Sequence, residues 1–97
     1  MRSAYQRIAH LFCEVALRMD AVGLARNRVY ELPVTQAELG DALGLSTVHV
    51  NRVLQELRHN ELIALKGRMV TVQDWEGLKE AGEFDPLYLH LQNGVAA

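Results

Sequence analysis

Residues 47–52 combine side chains that can each recognise the edge of a base pair. The Arg52 guanidinium can donate two hydrogen bonds to guanine, and the Asn51 amide can pair with adenine. The methyl groups of Thr47 and Val48 can pack against the methyl group of thymine. We therefore predict a set of residues that reads bases in duplex DNA, consisting of Thr47, Val48, His49, Asn51 and Arg52.

Apolar residues in the same segment indicate that these side chains lie on the exposed face of a helix. At about 100° per residue, four apolar side chains form one stripe, and Val48, Arg52 and Gln55 fall on the opposite face. The stripe consists of Val50, Val53, Leu54 and Leu57. An ordinary solvated helix face is the alternative, but it explains an exposed Val48 poorly.

Two helix caps separated by a glycine indicate how this helix is positioned. Thr35 and Glu38 have the spacing of a capping box, and Gly44 can end the helix that follows in a left-handed turn. Ser46 then caps a second helix. Such a pair also occurs in ordinary helical hairpins, but together with the polar face it predicts a helix-turn-helix over residues 35–60.

A basic hairpin is predicted after the second helix. Two short apolar runs within residues 62–72 are separated by Lys66, Gly67 and Arg68, and a glycine between two such runs is typical of a β-turn. This hairpin corresponds to the wing of a winged helix. We expect the helix over residues 47–60 to lie in the major groove, with Lys66 and Arg68 on the DNA backbone.

Patterns at the N-terminal end predict a long helix followed by a short strand. The helix covers residues 4–24 and is stopped by Gly23, and the strand is confined to a sheet edge because Pro33 cannot donate a ladder hydrogen bond. The residues expected to face inward from the helix are Ile8, Phe12, Val15, Met19 and Val22, and those that alternate along the strand are Tyr30, Leu32 and Val34.

The C-terminal end is predicted to add a short helix. Asp74 caps it, Trp75 and Leu78 face the core, and Gly82 ends it; one further helical turn is expected over residues 87–91. The whole chain, residues 1–97, is therefore expected to be a single α+β domain. Its fold class is a small winged helix-turn-helix with an N-terminal helix, a short strand, the helix-turn-helix, a β-hairpin wing and a short C-terminal helix.

The formal net charge of −2 argues against nucleic acid, whose binding depends on cation contacts to phosphate. The charge is unevenly distributed, however. Residues 74–97 carry a net charge of −4, so residues 1–73 carry +2. This distribution fits one nucleic-acid face beside an acidic end, and it fits a plain solvated end equally well.

Residue spacing gives no support for an enzyme or a metal site. A single cysteine, Cys13, allows no disulfide within the chain and no thiolate metal cluster, and it is expected to be a small buried hydrophobe. The four histidines lack metal-ligand spacing. Ser46, His49 and Asp41 superficially offer a catalytic triad, but capping occupies the serine oxygen and no glycine-rich elbow accompanies it. We expect no enzyme, no cofactor and no metal.

The sequence contains no apolar run of the roughly 20 residues that a membrane helix needs, and it begins without the apolar segment of a secretory signal. A cytoplasmic location with no membrane partner is the expectation.

Residues 34–72 resemble the C-terminal domain of the Crp-Fnr family of bacterial transcription regulators. The resemblance rests on the segments Thr-Gln-Ala-Glu-Leu-Gly-Asp-Ala-Leu-Gly-Leu-Ser (35–46), Val-Asn-Arg-Val-Leu-Gln-Glu-Leu (50–57) and Asn-Glu-Leu-Ile (60–63). It implies sequence-specific DNA binding in transcription regulation. The positions that it implies for reading bases are Thr47, Val48, Asn51 and Arg52, and those that it implies for contacting phosphate are Thr35, Gln36 and Ser46. Gln55 is predicted as a further backbone contact.

Two departures from the family limit what the resemblance implies. Many relatives have glutamate where this sequence has Val48, so their target sequence is not transferred. The sensor barrel and the dimerisation helix of the family are not present in this sequence, so the chain is interpreted as part of a larger regulator or as a short relative. Without the barrel we expect no cyclic-nucleotide site, and a single cysteine cannot hold an oxygen-sensing cluster.

The partners expected from the resemblance are double-stranded DNA, a second copy of the chain or a larger dimeric regulator, and RNA polymerase. The alternative function is a protein-interaction or dimerisation module without DNA binding. The net negative charge favours this alternative. Leu11, Cys13 and Leu17, which lie beyond the single apolar stripe of the first helix, could support a dimer interface, but core packing is the commoner explanation for them.

Overall fold

The computed structural model describes residues 2–85, which form four helices and a three-stranded antiparallel sheet. In chain order the elements are α1 (Ala4–Ala21), β1 (Val29–Glu31), α2 (Gln36–Leu43), α3 (Thr47–His59), β2 (Ile63–Lys66), β3 (Met69–Val72) and α4 (Trp75–Gly82). This order confirms the predicted α+β winged helix-turn-helix. None of the described helices has the length and apolar character needed to span a bilayer. The helical turn predicted over residues 87–91 lies outside the described residues.

Helix α1 packs one face into the core of the domain. Ile8 and Phe12 are fully buried, as predicted, and so is Cys13. The prediction that Val22 faces inward is wrong. The helix ends at Ala21, and the Val22 side chain beyond it is 68% exposed because it has left the helical face that packs on the core.

The sheet has β3 at its centre, with β1 and β2 on either side. Val70 of β3 pairs with Tyr30 of β1, which confirms an edge strand here, but the predicted continuation of the strand through Leu32 and Val34 is wrong. That strand ends at Glu31, one residue before the chain turns toward Pro33, which has no amide to donate. Tyr30 is buried, and its hydroxyl donates to the Phe12 carbonyl oxygen at 3.2 Å, which joins the sheet to α1.

Two glycines allow α2 and α3 to meet closely. Gly44 follows α2 with a φ of 71°, in the left-handed conformation predicted for it. Gly40 lies inside α2, where an added Cβ would stand 2.5 Å from the Leu45 carbonyl oxygen. The Leu45 amide donates to the Gly40 carbonyl oxygen at 2.7 Å. The turn between the helices therefore packs directly against the end of α2.

Helix α4 packs against α1 and closes the domain. The Asp74 carboxylate caps it by accepting a hydrogen bond from the Gly77 amide at 2.9 Å, and Leu78 is fully buried, as predicted. Gly82 is its last residue. The left-handed residue that ends the helix is Glu83, with a φ of 49°, and not the glycine as expected from the sequence.

Replacing Gly44 with valine is expected to lower the free energy of unfolding by about 1–3 kcal/mol, because valine is strained in the left-handed region. An added Cβ would meet no atom within 4 Å, so the loss comes from the backbone and not from a clash. Urea unfolding measures the difference. Gly44→Asn is the matched control, since asparagine tolerates this conformation and loses less. Equal unfolding free energies for wild type and Gly44→Val would contradict the role of the turn.

Two buried ionisable groups, the Cys13 thiol and the Tyr30 hydroxyl, make the stability of the fold depend on pH in the alkaline range. Burial raises the pKa of the Cys13 thiol from 9.0 to about 12, and burial also raises the pKa of the Tyr30 hydroxyl. Between the unfolded and folded pKa values, the unfolded state holds fewer protons, so stability falls as the pH rises above 9.0. Urea unfolding from about pH 8 to about pH 11 is expected to show this fall. The matched variant Cys13→Ala should show a shallower decline, and an identical decline would contradict the assignment to the thiol.

Candidate nucleic-acid interface

The outward face of α3 carries the residues that the sequence predicts to read bases. Thr47, Val48, Asn51 and Arg52 are exposed, and Val48 leaves 69% of its surface open. His49 is half-buried. The opposite face is buried in the core through the predicted stripe of Val50, Val53, Leu54 and Leu57. The structure thus brings the predicted residues to one surface, where their roles in reading bases stay predictions.

Hydroxyl groups cap the N-termini of both helices of the helix-turn-helix. The Thr35 hydroxyl accepts a hydrogen bond from the Glu38 amide at 3.0 Å, and the Glu38 carboxylate accepts one from the Thr35 amide at 2.9 Å. The Ser46 hydroxyl accepts one from the His49 amide at 3.0 Å. Both caps are as predicted, and they fix the points at which α2 and α3 begin.

The two helix N-termini differ in how well they suit a phosphate. The hydrogen bonds from Thr35 hold the pKa of the Glu38 carboxyl below its ordinary value of 4.5, so α2 begins beside a negative charge. The first turn of α3 contains no acidic residue. Since the positive end of a helix attracts anions, the Ser46 end of α3 is the more favourable phosphate site, and the Thr35 end of α2 the less favourable one.

A side-chain contact connects the first residue of α2 with α3. The Asn51 Nδ2 lies 3.5 Å from the Gln36 Oε1, at the outer limit of a hydrogen bond, and both residues are near the surface. This contact places a predicted phosphate contact, Gln36, beside a predicted base contact.

Helix α1 holds the far ends of α2 and α3, which sequence analysis missed. The Arg7 Nη2 donates to the Leu43 carbonyl oxygen at 2.9 Å, where the last turn of α2 leaves carbonyl groups without helical partners. The Asn60 Nδ2 donates to the Tyr5 hydroxyl oxygen at 2.9 Å, just after α3 ends. The sequence places Arg7 outside the apolar face of α1, but this position does not indicate which carbonyl group the guanidinium binds.

The two cations of the wing have different surroundings. Lys66 is exposed beside Gly67, whose φ of 61° allows the tight turn between β2 and β3. Arg68 instead directs its guanidinium back toward the domain. Its Nε and Nη2 donate to the Leu32 carbonyl oxygen at 3.2 and 2.9 Å. The sequence predicts the same DNA-backbone contact for both residues, whereas in the structure only Arg68 of the two is hydrogen-bonded to Leu32.

The ion pairs within residues 2–85 lie away from this surface. They join His10 and Arg18 to Glu14 on α1, and Lys79 to Glu76 on α4. In the described part of the chain, Arg52 therefore has no carboxylate partner that a DNA base would have to displace. Within the same residues, no group of histidine, cysteine, aspartate and glutamate side chains is arranged to hold a metal ion.

A helix-turn-helix whose second helix exposes polar and methyl-bearing side chains, beside a hairpin with a cationic tip, defines a winged helix-turn-helix of the DNA-binding class. The sequence profile of the family described as "Crp-like helix-turn-helix domain" matches residues 6–81, and the chain belongs to this family. The match confirms the resemblance to Crp-Fnr regulators and with it a domain for sequence-specific DNA binding in transcription regulation.

Individual relatives and solved structures agree with this assignment. The chain is 36% identical over 87 residues to the transcriptional activator protein FnrL of Cereibacter sphaeroides. This match covers 84% of this chain and 35% of that protein. The chain is also 32% identical over 77 residues to the transcriptional activator protein FnrA of Stutzerimonas stutzeri. That match covers 79% of this chain and 31% of that protein. The structure of FixK2 from Bradyrhizobium japonicum is similar at a TM-score of 0.63 and 26% identity, covering 81% of this chain and 38% of that one.

The chain spans about a third of the length of the relatives that it matches. The similarity therefore concerns the helix-turn-helix domain, and these relatives are transcription regulators by name.

Proposed function

We propose that α3 lies in the major groove of duplex DNA and reads bases from its first two turns. The observation that carries the proposal is the exposed face formed by Thr47, Val48, Asn51 and Arg52, directly opposite the face buried in the core. A solvated helix face does not need an isopropyl group that is 69% exposed in its first turn, whereas a thymine methyl group would cover Val48.

Each side chain of this face has a distinct part in the proposal. Arg52, without a carboxylate partner in the described residues, donates two hydrogen bonds to guanine, and Asn51 pairs with adenine. Thr47 and Val48 contact thymine. His49, which is half-buried, reaches the groove only at its edge.

Backbone contacts hold α3 in register on the DNA. Ser46 and the first turn of α3 bind one phosphate, and Lys66 at the wing tip binds another. Thr35 and Gln55, which are exposed, and Gln36, which is half-buried, complete the proposed backbone set. The proposal contains no catalytic step, because the Ser46 hydroxyl oxygen already serves as a helix cap.

The partners of the complete regulator are also part of the proposal. One α3 helix reads one half-site, so we propose that two copies act together on DNA, either as a homodimer or within a larger dimeric regulator. The naming of relatives as transcriptional activators supports RNA polymerase as a further partner. A cytoplasmic location is part of the same proposal, since a regulator of transcription has to meet its DNA there.

A second candidate function is a protein-interaction or dimerisation module without DNA binding. Val22 and Leu24, between α1 and β1, leave 68% and 67% of their surfaces exposed, which favours contact with another protein. The salt dependence of DNA binding separates the two functions. Phosphate contacts make the affinity fall steeply with salt, whereas an interaction module shows no such slope because it does not bind DNA.

Replacing Arg52 with alanine is expected to remove about 1–3 kcal/mol of discrimination at one base position, because the guanidinium contacts a base edge. Lys66→Ala is expected to weaken binding to all sequences alike and to reduce the salt slope by about one. Fluorescence-anisotropy titrations on a duplex selected from random sequences, and on its single-base variants, measure both effects.

Arg18→Ala is the matched control for these two variants. It removes the same charge from an exposed position on α1, so it should change neither specificity nor the salt slope by a comparable amount. If Arg52→Ala weakens every single-base variant by the same factor, Arg52 contacts phosphate and the proposed base contact is wrong.

Joining two copies of the chain is expected to strengthen DNA binding, because two half-sites about 34 Å apart are then bound together. A single copy should bind one half-site only weakly. The test compares a single copy with a covalently joined pair on a palindromic duplex. The control duplex carries about five extra base pairs between the half-sites, which places them on opposite sides of the helix. Nanomolar binding of a demonstrated monomer to one half-site would contradict the dimeric arrangement.

A further inference from the structure

Three hydrogen bonds connect Arg68 of the wing with Leu32 at the end of β1. The Leu32 amide donates to the Arg68 carbonyl oxygen at 2.8 Å, which extends the pairing of β1 with β3 by one step. The Arg68 Nε and Nη2 both donate to the Leu32 carbonyl oxygen. The Arg68 side chain thus binds the carbonyl oxygen of Leu32, while the Arg68 carbonyl oxygen binds the Leu32 amide.

Leu32 is anchored in the hydrophobic core of the domain. Its side chain is 4% exposed and packs in the hydrophobic core, and the chain that follows it leads through Pro33 to Thr35, the cap of α2. A contact to the Leu32 carbonyl oxygen therefore connects the wing to the segment from which the helix-turn-helix begins. Arg68 also lies near the capping carboxylate of Glu38 and contributes to lowering its pKa.

Lys66 makes no such contact in the described residues. It lies at the last position of β2, is exposed, and pairs in register only with Met69 across the turn. Both cations are exposed, but the Arg68 guanidinium is hydrogen-bonded to the domain and the Lys66 ammonium is not.

We propose that Arg68 is a positioning residue for DNA binding: by holding the wing on the Leu32 carbonyl oxygen, it sets where Lys66 meets the phosphate backbone relative to α3. This proposal rests on the proposed function of α3 and the wing. It replaces the role of a direct phosphate contact that the sequence predicts for Arg68. The forked guanidinium suits the task because two of its donors converge on one carbonyl oxygen, which a lysine ammonium does not reproduce with the same fixed geometry.

A double-mutant cycle with Lys66 tests the proposal. Dissociation constants are measured against salt concentration for wild type, Lys66→Ala, Arg68→Ala and the double variant, on a duplex selected from random sequences. If Arg68 acts by placing Lys66, then Arg68→Ala should add no more than about twofold to the loss already caused by Lys66→Ala. The salt slope of the double variant should then match that of Lys66→Ala. Two independent phosphate contacts would instead give losses that multiply and a salt slope reduced by about two.

Arg68→Lys separates charge from geometry. It keeps the cation but loses the fork, so the proposal expects it to bind DNA as weakly as Arg68→Ala. Full recovery of affinity and salt slope in Arg68→Lys would overturn the positioning role and restore the phosphate contact. If Arg68→Ala unfolds below the assay temperature, the double-mutant cycle is repeated with Arg68→Lys in its place. This variant keeps a cation near the Glu38 carboxylate.

The outcomes also distinguish this proposal from the one on which it rests. If the wild-type chain binds the selected duplex without salt dependence, or does not bind it, the proposed DNA-binding function fails and the positioning role fails with it. If the wild type binds with a steep salt slope and the effects of Lys66→Ala and Arg68→Ala multiply, only the positioning role is wrong.

Discussion

The burial of one face of α3 is the constraint on which the interface depends. Val50, Val53, Leu54 and Leu57 are at most 3% exposed. Full burial of such side chains stabilises a fold by roughly 1.5–3 kcal/mol each, so the four together contribute on the order of 10 kcal/mol, which is comparable with the net stability of a whole domain. A rotated helix would lose this contribution and bury Arg52. The outward direction of the polar face therefore follows from the packing of the inner one.

Contacts between residues far apart in the chain determine where that face stands in the domain. Arg7 and Tyr5 of α1 bind the ends of α2 and α3, and the Tyr30 hydroxyl joins the sheet to the same helix. Each contact is a single hydrogen bond worth roughly 0.5–1.5 kcal/mol, so none of them makes the fold alone. Their common effect is that the helix-turn-helix, α1 and the sheet keep fixed relative positions, which a surface that reads bases requires.

Local charge matters more for DNA binding than the net charge of −2. Much of the negative charge lies from Asp74 onward, in α4 and the residues after it, and α4 packs against α1. Within the helix-turn-helix, Glu38 makes the start of α2 less attractive to phosphate than the start of α3, whose first turn contains no acidic residue. Because residues 1–73, which include the helix-turn-helix and the wing, carry a net charge of +2, the net charge of the whole chain is a weak argument for a module without DNA binding.

The sequence by itself determined the order of the elements and the outward face of α3. The capping box at Thr35, the left-handed Gly44, the Ser46 cap and the apolar stripe of α3 are local signals, because hydrogen bonds within a few residues and helical periodicity carry them. Only the tertiary structure decided the Arg7 contact and the separation of Lys66 from Arg68. Both depend on backbone carbonyl groups 36 residues away in the chain, and side-chain type alone does not specify which carbonyl a guanidinium meets.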